Sequence, residues 1–244
     1  INNGSAAMAS GYMNLLNKAN IQLKIEETEI LLLQGDYEKV VYDFLFYYNE
    51  DKVNRQLLIK ALTAAILSRN NSILDNVNKV LEQSLGFKLR DINNDTENEN
   101  YNSEELELIV DIIKELKRLS KYDEIEQIVI KTNQNKILLA TSEIFYHEKL
   151  FNLALSYYDA YIQNNQEIED KQLYIILYKM SNCLYQLGEY NMAKSYIENS
   201  FTVDSKADGY GAYTLLLRVI ENAQSGDDVI KDVAGKAIAL YPDS

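Results

Sequence analysis

The sequence is poor in the residues that interrupt helices. Its 244 residues include one proline and nine glycines. Folds built from strands and tight turns need more of both, whereas long helices joined by short connections need few. This scarcity favours an all-α fold, and a hydrophobic content of 47% provides ample material for a core.

Cysteine and histidine are scarcer still, since Cys183 and His147 are the only residues of their types. One cysteine allows no intramolecular disulfide, and a structural zinc ion usually needs four nitrogen or sulfur ligands. We interpret Cys183 as a small packing residue and His147 as facing a groove or solvent. The sequence also lacks the GxxxxGK[ST], GxGxxG, GxSxG and HExxH patterns. We therefore predict a protein that is not an enzyme and has no metal or cofactor.

Long apolar runs are missing too. No stretch approaches the roughly 18 apolar residues of a membrane span, and the first residues have neither the charged nor the apolar region of a signal peptide. We interpret residues 1–12 as a linker or an expression remnant, and we expect a cytoplasmic protein that does not bind membranes.

Basic residues are fewer than acidic ones: the chain has 24 Lys and Arg and 37 Asp and Glu, which gives a formal net charge of −13. A protein that binds nucleic acid must neutralise phosphates, so this balance argues against direct nucleic-acid binding. It disfavours anionic membrane surfaces for the same reason. The excess carboxylates either attract a basic partner or only keep the protein soluble.

What the sequence does contain is a repeated pattern of helix pairs. Around Gly188, apolar and small residues at helical spacing form one stripe upstream and another downstream. Glycine tolerates the left-handed conformation that ends a helix, so this segment is predicted to be a helical hairpin. The same pattern recurs at intervals of 29 to 48 residues, typical of stacked repeats. The anchor positions in the second helix of each pair are Val40, Val77, Ile125, Ala154, Ala193 and Ile230.

One interval is long because it contains the polar, acidic stretch near 90–103. Asp91, Asn93 and Asp95 begin this stretch like a calcium-binding loop. Thr96, however, stands where the sharp turn needs glycine, and Asn102 stands where a bidentate glutamate belongs. We interpret the stretch as an inserted solvated loop.

These hairpins resemble the tetratricopeptide repeat (TPR) family, whose repeats have a glycine and an aromatic residue at the turn, small residues in both helices and a closing proline. The copy that includes Gly188 and Tyr190 matches best, and Pro242 stands where a repeat would close, although copies two, three and four lack the turn glycine. The resemblance implies an all-α, right-handed superhelical solenoid of about six helix-turn-helix repeats over residues 13–244. A solenoid of other helical hairpins is the alternative.

The resemblance also implies a function. In TPR arrays, the first helix of each repeat lines a concave groove that commonly holds a peptide, and tyrosine suits such a surface because it offers a large contact area with a hydroxyl group. The chain has 19 tyrosines. Transferred to this sequence, the positions facing the groove are Tyr178, Asn182, Tyr185 and Gln186 in repeat five, Leu139, Glu143, Tyr146 and His147 in repeat four, and Val110, Lys114 and Lys117 in repeat three.

Lys114 and Lys117 belong to a basic cluster with Arg118 and Lys121. This cluster either accepts a carboxylate or is an exposed helix face that is balanced by neighbouring glutamates. The expected function is a non-catalytic scaffold that binds a peptide or protein segment. Two alternatives stay open: an accessory or regulatory region of a larger enzyme or regulator, such as a bacterial glycosyltransferase or a peptide-sensing transcription regulator, and a homodimer formed through the apolar terminal helix.

Overall fold

The computed structural model describes residues 20–47, 54–86, 89, 101–203 and 209–241. The predicted linker (1–12), most of the acidic stretch (90–100) and Pro242 lie outside these residues. Every element of regular structure within them is an α-helix, which confirms the all-α repeat fold. In chain order the helices are α1 (20–34), α2 (Tyr37–Tyr47), α3 (Arg55–Ser68), α4 (Asn71–Leu85), α5 (Ser103–Arg118), α6 (Tyr122–Thr132), α7 (Asn135–His147), α8 (Phe151–Asn164), α9 (Asp170–Gln186), α10 (Tyr190–Val203), α11 (Tyr210–Asn222) and α12 (Asp227–Leu240).

The helices form consecutive hairpins, and the chain divides into two compact units, Ile1–Thr132 and Asn133–Ser244. In the first unit, α2 packs against α3 and α4, and α3 also packs against α5. In the second unit, the pairs α7–α8, α9–α10 and α11–α12 pack internally, while α8 contacts α9 and α10 contacts α11. Each pair thus covers an apolar face that one hairpin alone would leave exposed.

The turns inside the hairpins share one backbone geometry. Each has a residue with positive φ, and only two of these residues are glycine: Gly35, Arg69, Ser120, Lys149, Gly188 and Gln224, with φ between 53° and 84°. At Gly188, the amide of Glu189 donates to the carbonyl of Leu184 and the amide of Gly188 donates to that of Tyr185. The same two hydrogen bonds close the turns at residues 35, 120, 149 and 224. This is a Schellman ending, which satisfies carbonyl groups at the end of the first helix.

The turn at Arg69 is closed differently. Arg69 donates its amide to the carbonyl of Ile66, but the amide of Asn70 donates to the Ser68 hydroxyl oxygen at 3.2 Å. The Asn70 side chain then caps α4 by accepting from the amide of Ser72. At this turn, the amide of Asn70 therefore donates to a side-chain hydroxyl, whereas the corresponding amide in the other turns donates to a backbone carbonyl.

The predicted stripe of the second helices forms much of the core. Val40, Val77, Ile125, Ala154 and Ala193 are all at most 1% exposed, as the repeat register predicts. The last anchor differs, since Ile230 is only partly buried and α12 has no buried residue. Within the described residues, no helix is long and apolar enough to cross a membrane.

Candidate functional site

In the first unit, the first helices of three hairpins line a cleft with a volume of about 640 Å³. Helix α1 contributes Glu29, α3 contributes Arg55 and Lys60, and α5 contributes several charged residues. Lys114 and Lys117, both predicted to face the groove, are among the α5 residues that line this cleft. Charged groups of both signs therefore face each other across three helices.

At one side of the cleft, two basic side chains share one carboxylate. Arg55 donates to Oδ2 of Asp111 from Nη2 at 2.8 Å and from Nε at 3.2 Å, and Lys114 Nζ lies 3.1 Å from Oδ1. Burial raises the pKa of Asp111, but the hydrogen bonds from Arg55 and Lys114 outweigh burial and hold this pKa below its usual value. Asp111 is thus a fixed negative charge at neutral pH.

Deeper in the cleft, two basic side chains share two carboxylates. Glu115 accepts hydrogen bonds from Lys60 at 2.9 Å and from Arg118 at 2.8 Å. Glu29 lies 2.8 Å from Arg118 and 3.6 Å from Lys60. Burial raises the pKa of Glu115, yet the bonds from Arg118 and Lys60 leave it lowered overall. The Lys60 side chain is only 9% exposed, and the two carboxylates compensate its buried ammonium group.

This geometry shows how the predicted basic cluster is arranged. Lys114 and Arg118 form ion pairs with acidic residues one turn earlier, Asp111 and Glu115. Lys114 is nevertheless 59% exposed, and so is about half of Arg55, whereas Arg118 is more covered. Of the three cations compared here, Arg55 and Lys114 are therefore the more accessible to a ligand.

In the second unit, Glu143 links three helices. Its Oε1 accepts a hydrogen bond of 2.6 Å from the hydroxyl of Tyr158 on α8, and its Oε2 accepts one from Lys179 on α9. Burial raises the pKa of Tyr158, and Glu143 raises it further, so this hydroxyl stays protonated and donates. His147 Nε2 lies 3.8 Å from Glu143, with most of its side chain in solvent, as predicted.

Tyr146 and Asn182 form a second link between α7 and α9. The Asn182 side-chain amide donates to the Tyr146 hydroxyl at 2.7 Å, and Lys179 Nζ lies 5.4 Å from the centre of the Tyr146 ring. Tyr146 also makes edge contacts with the rings of Phe151 and Tyr158. Burial raises the pKa of Tyr146. Two predicted site residues thus meet directly and are held in place.

The remaining predicted residues of α9 differ in exposure. Tyr178 and Tyr185 are half-buried and pack against the apolar core of the second unit, and Gln186 is exposed. A Cβ added at Gly211 of α11 would lie 3.7 Å from the Tyr178 hydroxyl. Tyr178 therefore approaches α11, while Tyr146 and Asn182 join α7 to α9. Leu139 and Val110 are half-buried.

Cys183 is fully buried, and burial raises the pKa of its thiol to about 12. It therefore packs as the sequence predicts, and its thiol is protonated at neutral pH. Across the described ranges, no group of three or more His, Cys, Asp or Glu side chains is arranged to hold a metal ion.

Comparisons with known proteins give limited information. No family model matches the chain, and no curated protein matches it. One solved structure, the C-terminal part of a TPR repeat-containing protein from Cytophaga hutchinsonii, is 16% identical. The match covers 89% of this chain and 79% of that one, with a TM-score of 0.46. A similarity this low establishes no family, so the function is inferred from the surfaces described above.

Six charged or polar residues that the sequence analysis did not select also belong to these surfaces: Glu29, Arg55, Lys60, Asp111, Tyr158 and Lys179. Asp111 precedes Lys114 by one helical turn, a spacing that could have indicated it. The hydrogen bonds Glu143–Lys179 and Tyr146–Asn182 both span 36 residues, which indicates a constant register between the two helices. A search for complementary pairs near the repeat period would have found Lys179.

Proposed function

We propose that this chain is a non-catalytic interaction scaffold that binds a peptide or protein segment along the first helices of its repeats. In the second unit, the binding residues are Glu143, Tyr146 and His147 of α7 together with Tyr178, Asn182, Tyr185 and Gln186 of α9. In the first unit, they are Lys114 and Lys117 of α5.

The observation that carries this proposal is the pre-arranged polar surface on α7 and α9. Glu143, Tyr146 and Asn182 are fixed by contacts between the helices, so ordering them on binding costs little conformational entropy. Their neighbours His147 and Gln186 are exposed and offer hydrogen-bonding groups to a ligand. Such a combination of held aromatic residues and accessible polar groups suits recognition of an extended segment.

The test uses exposed residues, because replacing the packed Tyr178 or Tyr185 with alanine would also weaken the core. The double variant His147→Ala/Gln186→Ala removes two exposed side chains of the proposed surface. The matched control Asn191→Ala/Asn199→Ala removes two exposed, uncharged side chains of α10. Affinity capture from a lysate of the source cell, followed by mass spectrometry, should recover the same protein with wild type and control but not with the first variant.

Helicity and the urea midpoint should be equal for all three proteins, which separates loss of binding from loss of folding. A partner that the surface variant retains and the α10 control loses would move the binding site to the second helices. Turnover of a captured small molecule would exclude a purely non-catalytic role.

A second candidate function, self-association, is favoured by the terminal helix. We propose that α12 mediates a homodimer, because it buries no residue whereas α8 and α10 each bury three. Ile238 and Leu240 are 68% and 58% exposed, so α12 offers apolar side chains that a second copy could cover.

A further inference from the structure

Helix α1 differs from the other first helices in the apolar surface that it exposes. Ile21, Leu23, Ile30 and Leu33 are 39% to 65% exposed, whereas α3, α5 and α7, as described here along their whole length, expose no large apolar side chain. Leu32 is the one buried residue of α1 within its described range. Single exposed apolar residues are ordinary on a protein surface, but several at helical spacing on one helix indicate an interaction surface.

Three of these side chains lie on one stripe of the helix. Leu23 and Ile30 are seven residues apart and Leu33 follows three residues later, so two helical turns and then one turn separate them. Helices that pack against each other in coiled coils have this spacing, because their apolar residues recur every seven positions. The buried Leu32 and Ile25, which lines the cleft, lie on the opposite side of α1.

Two carboxylates belong to the same stripe. Glu26 and Glu27 occupy the turn between Leu23 and Ile30, and both side chains are exposed. Glu26 accepts a hydrogen bond from the exposed Gln22 at 3.1 Å, and neither glutamate forms an ion pair with another described residue. The α1 stripe, which consists of residues 23, 26, 27, 30 and 33, therefore combines apolar side chains with negative charge that no cation balances.

This charge distinguishes a second copy of the chain from a different partner. In a pair of α1 helices, the glutamates at positions 26 and 27 of both copies would meet in one interface, and the α1 stripe has no basic residue to offset them. Like charges brought together oppose association. A partner helix with lysine or arginine beside its apolar stripe places opposite charges together instead, and the formal net charge of −13 attracts such a basic segment.

We propose that the α1 stripe docks an amphipathic helix of a partner protein, which carries apolar residues on one face and lysine or arginine beside them. Leu23, Ile30 and Leu33 pack against the apolar face, while the carboxylates of Glu26 and Glu27 bind the flanking cations. The α1 stripe shares no residue with the scaffold surface proposed above, so this inference goes beyond that function and is tested separately.

The experiment measures fluorescence anisotropy with the full chain and a labelled helical peptide of leucine and lysine, in which leucine recurs at every third and fourth position. A scrambled peptide of the same composition has no apolar stripe and measures the background attraction of a basic peptide to an acidic protein. A third peptide has glutamate in place of lysine. We expect the first peptide to bind about tenfold more tightly than the scrambled one, and the acidic peptide not to bind.

Alanine substitutions test the apolar contact. Ile30→Ala/Leu33→Ala should weaken binding of the amphipathic peptide about tenfold, because it removes apolar area from the docking face. Ile238→Ala/Leu240→Ala removes the same residue types at exposed positions of α12 and should bind as the wild type does. All four side chains are exposed, so both variants should stay folded, which circular dichroism and urea unfolding check.

Glutamine substitutions test the charge. Glu26→Gln/Glu27→Gln should weaken binding of the amphipathic peptide several-fold and reduce its dependence on salt, because fewer charges remain to be screened. Glu126→Gln/Glu221→Gln makes the same change in net charge at exposed positions of α6 and α11. This control should leave the affinity unchanged.

Several results would overturn this inference. They are equal binding of the amphipathic and scrambled peptides, no binding of the amphipathic peptide, equal losses in the two alanine variants, and equal losses in the two glutamine variants. A dimer in light scattering that Ile30→Ala/Leu33→Ala abolishes would assign the α1 stripe to a second copy instead. His147→Ala/Gln186→Ala should bind the peptide as the wild type does, and a loss there would place the peptide on the scaffold surface.

Discussion

At the scale of single residues, the turns inside the hairpins place a demanding conformation on whichever amino acid occupies them. The left-handed region costs a residue with a side chain about 1–2 kcal/mol, whereas glycine adopts it freely. Gly35 and Gly188 avoid this cost, but Arg69, Ser120, Lys149 and Gln224 adopt positive φ as well. Their strain is offset by the helix ends and packing that the turns make possible.

The first prediction concerns this strain. Lys149→Gly should raise the free energy of unfolding by about 0.5–1 kcal/mol, because relief of strain exceeds the extra entropy that glycine gives the unfolded chain. Gly188→Ala should lower it by about 1 kcal/mol, since an added Cβ meets no atom within 4 Å and only the backbone conformation opposes it. Urea unfolding followed by circular dichroism measures both changes.

A glycine in a helix provides the control. Gly235 lies inside α12 without positive φ, and a Cβ there meets nothing within 4 Å. Gly235→Ala should therefore stabilise the protein by up to about 1 kcal/mol through helix propensity. If Gly188→Ala also stabilises, the left-handed turn is not the source of the effect.

Only some of these turns could be predicted from the sequence. A turn glycine can be recognised because few other residue types favour positive φ, and Gly188 identified its hairpin in this way. Arginine, serine, lysine and glutamine have no such signature. The packing of the flanking helices places the left-handed conformation at Arg69, Ser120, Lys149 and Gln224. The identity of a single residue does not reveal that packing.

At the scale of helices, Glu143 couples α7 to both of its neighbours. Removing its carboxylate would leave the hydroxyl of the buried Tyr158 without its partner, which costs about 1–3 kcal/mol. Removing the hydroxyl instead costs less, because Glu143 keeps its bond to Lys179. The hydrogen bond between Glu143 and Tyr158 therefore stabilises the protein only when both side chains are present.

The second prediction follows as a double-mutant cycle. Glu143→Ala and Tyr158→Phe should each destabilise the protein, and the double variant should be destabilised by about 1 kcal/mol less than the sum of the two. Glu198→Ala serves as the control, since its carboxylate is exposed and 3.9 Å from Lys194. It should change stability by less than about 0.5 kcal/mol. Additive effects in the cycle would contradict the coupling.

The candidate site was predictable only in part at this scale. The resemblance to TPR arrays implied Glu143, Tyr146 and Asn182 as groove positions, and the last two do bond to each other. It did not imply Tyr158 and Lys179, because side-chain partners depend on how one helix is rotated and shifted against the next. That rotation arises from packing between helices, which a pattern along one helix does not determine.

At the scale of the whole molecule, the repeat period predicted the sequence of hairpins because the same buried stripe recurs in each second helix. It did not predict the division into two units at residues 132 and 133. Apolar stripes show that a face will be covered but not which helix covers it. The terminal helix α12 illustrates this, since its stripe resembles the others yet is only partly buried.

The third prediction belongs to this scale. Light scattering after size-exclusion chromatography should show the mass rising towards that of a dimer as concentration increases. Ile238→Lys should keep the protein monomeric, because it places a charge on the exposed apolar face of α12. Asp232→Asn changes the net charge equally at an exposed polar position and should still dimerise. A wild-type protein that stays monomeric at every concentration would rule out this homodimer.

The burial of Cys183 has a practical consequence for spectroscopy. Its side chain is fully covered and its thiol pKa is about 12, so maleimide reagents do not reach a thiolate there near neutral pH. A cysteine introduced at an exposed position such as Gln186 would be the only reactive thiol of the folded chain. Fluorophores or spin labels can then be attached at one chosen site while the native cysteine stays in place, which makes the proposed binding surfaces directly accessible to distance measurements.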